Sequence, residues 1–242
     1  LDIISSSKIN DSKYGQAALF AIEYSLAKLW EAWGVVAAVV AGHGVGELAA
    51  ACFAGVFPLE QGLMLAVARG KGSADFSSAL TEVDFADPFT DLVKSSDGTV
   101  ATDGNFNADY FLVHSSFDLA RTGLLACGLT AVLQTGTGPL LVPAVSGASN
   151  GKGPSTIVVS ALPSQPNESS WSVISASLAR LYVAGCPVDF NGFYKPYGGS
   201  KVVLPTYCFD RTRFWCEACN FDPLGYIPIS KMQEHGLSAM DL

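Results

Sequence analysis

Charge is scarce in this chain: Asp, Glu, Lys and Arg together make up only 15% of its 242 residues, against 49% hydrophobic residues. That balance excludes an intrinsically disordered polypeptide, which is poor in apolar residues and rich in charge. Basic residues are scarcer still, 14 Lys and Arg against 22 Asp and Glu, for a net charge of −8. General binding to nucleic acid or to an anionic membrane needs basic patches, so neither is expected. Long apolar runs are also missing. None approaches the roughly 20 residues that span a bilayer, and Val35 to Ala41 follows a helix-like stretch carrying Glu23, Lys28 and Glu31. Leu1-Asp2-Ile3-Ile4 and the serines after it do not form a secretory leader, and a cytoplasmic address is expected.

The six cysteines, at 52, 127, 186, 208, 216 and 219, make no compact disulfide framework, so reduced thiols are expected. Cys216-Glu217-Ala218-Cys219 is a lone C-x-x-C, with Cys208 and His235 as further candidate ligands. A zinc site needs four converging ligands, and the expectation is no metal and no other cofactor.

What is present is a chain long enough for one sizeable core, with a mean hydropathy of +0.32 that suits strands covered on both faces. Leu19, Ile22, Leu26, Leu29 and Trp33 recur at helical steps and predict a helix over 16–33, ended by Gly34. Val35 to Val40 predicts a buried strand. Gly42-His43-Gly44-Val45-Gly46 is a tight turn into a helix over 47–54, closed by Gly55. Pro58 opens another helix to about Arg69, with Leu59, Leu63 and Val67 as the expected inner face. Phe76, Leu80 and Val83 suggest a short helix, and the polar stretch beyond is unassigned. Strands are predicted at 129–133 and 156–162. The segment 146–155 reads as a Ser/Gly loop. A helix is predicted over 169–184, with Trp171, Ile174, Leu178 and Leu181 inward and Gly185 past its end. From Cys186 onward the periodicity disappears, and an extended tail is expected. The pattern is α/β, with a mainly parallel sheet flanked by helices.

The strand, glycine turn and helix at 35–54 form the context of a nucleophile elbow. In a G-x-S-x-G elbow the glycines allow a sharp turn, and the helix N-terminus faces a developing oxyanion. Here the central residue is Gly44, which has no side chain and cannot form an acyl-enzyme. Gly42-His43-Gly44-Val45-Gly46-Glu47-Leu48-Ala49-Ala50-Ala51 resembles the elbow of malonyl-CoA:acyl-carrier-protein transacylases. Gln16-Ala17-Ala18-Leu19-Phe20-Ala21-Ile22-Glu23-Tyr24 is similar to the helix before that elbow in the acyltransferase domains of modular polyketide synthases. Gly55-Val56-Phe57-Pro58-Leu59-Glu60-Gln61-Gly62-Leu63 and Ala68-Arg69-Gly70 continue the likeness. Leu133-Gln134-Thr135-Gly136-Thr137-Gly138-Pro139 and Leu204-Pro205-Thr206-Tyr207-Cys208-Phe209-Asp210-Arg211-Thr212-Arg213-Phe214-Trp215 extend it to the family's Gly-Pro turn and post-acyltransferase linker.

The resemblance implies the large hydrolase-like subdomain of such a domain. By the same comparison His43 is the nucleophile's neighbour, Gln16 lines the site, and Arg69 matches the arginine that pairs with a malonyl carboxylate. Three features of the family are missing. Gly44 stands at the nucleophile position. The base histidine and its small ferredoxin-like subdomain have no counterpart, since residue 70 runs almost directly into 75–83. The opening strand with its Gly-Gln-Gly oxyanion turn is absent. His114 falls in a segment matching one outside the family's active site, so it is a poor substitute base. Cys52 reads as core rather than as a replacement nucleophile.

The expected organisation is a degenerate acyltransferase core at 1–185, a linker at 186–219 and a tail, or the start of another region, at 220–242. The family activity is transfer of malonyl-type units from CoA to an acyl carrier protein. The reading for this chain is an inactive structural or docking module. Its expected partners are ketosynthase and acyl carrier protein domains, or a trans-acting acyltransferase. An extender-loading enzyme working by another route and a non-functional fragment stay open as alternatives.

Overall fold

A computed structural model describes residues 12–101, 106–113, 115–137, 156–165 and 167–212. The chain divides into two compact units, 1–199 and 200–242. The predicted loop at 146–155, together with His114, Cys216, Cys219 and His235, lies outside the described residues.

Helix α1 (Ser12–Ala32) is the long element of the first unit, and it feeds two cores. Phe20 near its middle is fully buried among Leu48, Phe57 and Leu65, while Trp30 and Trp33 pack with Val159, Ile174 and Leu181. As the glycine at its end requires, Gly34 takes φ +82°, a conformation without a Cβ penalty only for glycine.

Strand β1 (Val39–Ala41) follows, then α2 (Val45–Phe53), α3 (Leu59–Lys71) and α4 (Ser73–Leu80). Strand β2 (Asp91–Val93) pairs in parallel with β1, Val40 facing Leu92. After α5 (Ala108–Leu112) and α6 (Phe117–Ala126), strands β3 (Ala131–Gln134) and β4 (Ile157–Ser160) form a second parallel pair. Helix α7 (Ser170–Val183) covers β4, its Ser177 hydroxyl donating to the Ser160 carbonyl at 2.6 Å. The result is α/β, with parallel strands and covering helices, as the periodicity predicts.

Several expectations are corrected. The strand expected at 35–40 ladders only at 39–41, and Val36 is 75% exposed. On α3 the inner face is Gly62, Leu65, Ala66 and Ala68, not Leu59 and Leu63, which are exposed. The reason is a close approach at Gly62, where an added Cβ would sit 2.7 Å from the Phe20 ring, so the glycine side of α3 docks on α1. Trp171 is 45% exposed, yet its ring stacks on Phe193 and meets Trp33 edge-on. The extended tail expected from Cys186 instead begins with a short helix, α8 (Phe190–Tyr194), and a 3₁₀ turn at Lys195–Tyr197. Asp189 caps α8 through Asn191, and its own N–H bonds the Trp33 carbonyl at 2.7 Å. Aromatic packing of Phe193 on Trp33 replaces the regular apolar repeat, which is why periodicity did not reveal it.

Between α3 and α4 stands a single residue, Gly72, with φ +146°. This is the place where the resemblance puts a ferredoxin-like subdomain, and here the two helices simply abut. In the second unit, the described residues 200–212 form no helix or strand.

Candidate active site

The turn between β1 and α2 is built around glycine backbone. Gly42 permits no side chain: an added Cβ would lie 2.1 Å from the Gly46 carbonyl oxygen. The Gly46 N–H bonds the His43 carbonyl at 3.1 Å and closes the turn. Gly44 caps α2 with φ +65° and ψ −123°, a conformation that L side chains rarely adopt. Among the described residues nothing lies within 4 Å of where its Cβ would be. A positive-φ residue at a strand-to-helix turn, capping the helix N-terminus, is the elbow geometry that displays a nucleophile. The chain keeps the elbow backbone and carries no side chain at its apex.

Helix α2 is held from behind by a buried network that sequence reasoning missed. Glu47 is 5% exposed, and its Oε1 accepts hydrogen bonds from the Ser95 hydroxyl at 2.5 Å and from the Tyr110 hydroxyl. The Ser95 N–H also reaches the Tyr110 oxygen at 3.1 Å. Burial first, then the adjacent Glu47 charge, raise the Tyr110 phenol above its ordinary pKa. These contacts tie α2 to the end of β2 and to α5. The only sequence sign was an acidic residue in an otherwise apolar helix, indistinguishable from a first-turn dipole partner.

His43 is exposed and meets Phe117 of α6 edge-on at 6.1 Å. It opens onto a cavity of about 550 Å³ that runs beside β1 and β3. Glu23 of α1 reaches the same end of that cavity. It is 9% exposed, it lies against Gly46 and Gly136, and burial pushes its carboxyl up to about 7. Glu23 also went unrecognised, although it falls four residues after Leu19 and three before Leu26, on the apolar side of α1.

The structure does not gather the other predicted site residues around this cavity. Gln16 and Arg69 are absent from its lining. The Arg69 guanidinium lies over the Phe76 ring, 5.3 Å from its centre, at the joint of α3 and α4. Cys52 is buried, and burial pushes its thiol up to about 11, so it is no reactive substitute. Among the described residues no group of His, Cys, Asp and Glu could hold a metal ion, and no helix is long and apolar enough to cross a membrane.

An α/β core with a glycine elbow and a helix N-terminus behind it defines an acyl-transfer type of scaffold. Residues 1–81 match the family model described as the acyl transferase domain. A spectinabilin polyketide synthase protein, NorC of Streptomyces orinoci, is 30% identical over 230 residues, 93% of this chain and 10% of that protein. The orsellinic acid synthase of Armillaria mellea is 23% identical over 305 residues, covering 86% of this chain and 14% of that protein. The fold matches the acyltransferase domain from the second module of the salinomycin polyketide synthase, with TM-score 0.72 at 22% identity. That match covers 84% of this chain and 68% of the other. The malonyl-CoA:acyl carrier protein transacylase of Xanthomonas oryzae matches with TM-score 0.55 at 14% identity, over 69% of this chain and 81% of the other. The chain is a shortened relative of the acyltransferase domains of polyketide synthases. It spans between 4% and 14% of the length of the curated synthases cited, NorC, the synthase GfsA of Streptomyces halstedii and the Armillaria synthase.

Proposed function

We propose that this chain is an acyltransferase-like module of a polyketide synthase that no longer transfers acyl groups and serves its neighbours as a structural or docking element. The observation that carries this reading is Gly44: the elbow backbone is present, and the atom that would attack a thioester is not. Without a nucleophile the covalent route disappears. The partners proposed are ketosynthase and acyl carrier protein domains, or an acyltransferase supplied in trans, in the cytoplasm. The family's extender carboxylate would once have met Arg69, with Gln16 beside the site. In this chain Arg69 is engaged with Phe76.

The match to the Armillaria synthase runs over 305 residues, more than this chain possesses, so that relative carries extra residues. The match to NorC runs over 230 residues while covering 93% of the chain, so a region of nearly the same length occurs inside a curated synthase.

The test is the intact mass of the protein after incubation with malonyl-CoA, alone and with a phosphopantetheinylated carrier protein. The expected result is an unchanged mass and carrier loading no faster than the protein-free control. An acyl adduct, or accelerated loading, would overturn the proposal and favour an extender-loading enzyme working by another route.

A further inference from the structure

The carboxyl of Glu23 is held where three elements meet. Glu23 lies near the middle of α1 and is buried. A Cβ added at Gly46, in the first turn of α2, would lie 3.4 Å from its Oε2. One added at Gly136, two residues past β3, would lie 2.8 Å from its Oε1. The carboxyl is thus wedged between bare backbone on two sides, and the entry of α2 and the end of β3 approach each other through it.

Among the described residues nothing around this carboxyl favours its charged form. Its Oε2 is buried without a hydrogen-bond partner. The charged and titratable groups on the adjoining elements are engaged elsewhere. His43 of the elbow meets Phe117, and Glu47 of α2 accepts from Ser95 and Tyr110. On α1 itself, Tyr24 stacks on Phe20 and Lys28 pairs with Glu31. Strand β1 carries no titratable side chain, and β3 with the residues after it brings Gln134, Thr135 and Thr137. A carboxylate in such a place lacks both cation and donors, whereas the neutral acid is tolerated.

We propose that Glu23 is a proton-operated clasp. As the neutral acid it holds the entry of α2 against the end of β3, and as the carboxylate it lets the two part while the rest of the first unit stays folded. The opening stays local because the seam is built from glycines: Gly42, Gly44 and Gly46 on one side and Gly136 on the other interlock no side chains. The surrounding elements are held instead by apolar clusters, Phe20 with Leu48 and Leu65, and Trp30 with Val159 and Leu181, which do not titrate. Burial places the titration of the clasp at about 7, against an ordinary value of 4.5. The inference does not depend on whether residue 44 reacts.

The experiment is hydrogen exchange by mass spectrometry on the full chain at pH 6 and pH 8, with rates referred to unstructured peptides of the same sequence. Protection over 42–48 and 132–137 should fall about tenfold between the two, the ratio given by a group titrating near 4.5 when open and about 7 when closed. The fall should be the same in 1 M urea, because a local opening exposes little surface. Glu23→Gln stays neutral and should keep the higher protection at both pH values. Gly136→Ala crowds the carboxyl and should hold both segments at low protection at either pH, with the far-UV circular dichroism spectrum unchanged. Equal protection at both pH values in the unaltered chain, or the same fall in Glu23→Gln, would overturn the inference. So would a fall that grows with urea, which assigns the effect to unfolding of the whole chain.

Discussion

At Gly44 the backbone and the side chain tell different stories. The φ of +65° is tolerated cheaply by glycine, whereas any other residue there carries strain of about 1–3 kcal/mol. Among the described residues, none lies within 4 Å of where a serine Cβ would sit. Gly44→Ser should therefore fold with a lowered melting temperature and still load no carrier protein above the control, because it gains a hydroxyl without a base. Multiple-turnover transfer by that variant would show that a base is within reach. Gly42→Ala should be far worse, costing more than about 3 kcal/mol, since its Cβ would collide with backbone that cannot move aside. Urea melts of the two variants separate a strained position from a forbidden one.

Glu23 gives a pH signature at the same scale. Its folded-state carboxyl titrates near 7 because burial disfavours the charged form, while in the unfolded chain it titrates near 4.5. Between those values the native state holds the proton more tightly, so stability falls as pH rises from about 4.5 to 7 and levels off above. The loss across that window is about 3 kcal/mol. Glu23→Gln should remove this slope, which urea denaturation at a series of pH values measures. An unchanged slope in the variant would assign the pH dependence elsewhere.

Elements are joined by two close contacts that make opposite demands. Helix α3 presses on α1 through Gly62, and the Phe20 ring it meets is fully buried. Gly62→Ala, which would gain up to about 1 kcal/mol in an exposed helix, should destabilise here. On the same helix Leu65→Ala should cost about 2–5 kcal/mol and Leu63→Ala less than about 1, reversing the face that apolar spacing suggested. Helix α2 is secured by hydrogen bonds instead. Tyr110→Phe removes one donor to Glu47 and should cost about 1–2 kcal/mol, while Glu47→Ala strands both Ser95 and Tyr110 and should cost more. A double-mutant cycle between positions 47 and 110 should show coupling above about 0.5 kcal/mol.

For the whole molecule, the second core sets where the first unit ends. Val188 and Phe193 pack against the cluster of Trp30 and Trp33, and the unit runs to residue 199. A chain cut after Gly185 should thus melt at lower temperature than one cut after Gly199, by differential scanning fluorimetry. Equal melting would place the end of the core at residue 185.

The sequence by itself determined the helices that carry long apolar stripes, the strands at 131–134 and 157–160, the glycine elbow and the absence of a side chain at its apex. Those features are local: helical repeat, β-branched runs and glycine punctuation act within a few residues of themselves. It also determined the family likeness, through blocks in a constant order. Only tertiary structure decided which face of α3 is inward, because that depends on how near α1 can approach a glycine. Tertiary structure also decided that Glu23 and Glu47 are buried, since a carboxylate on an apolar helix reads identically whether its neighbours arrive or not. The short strand β2, helix α8 and the cavity lined by β1 and β3 belong to the same class. Each exists through partners distant in the chain, and no pattern within a single segment records them.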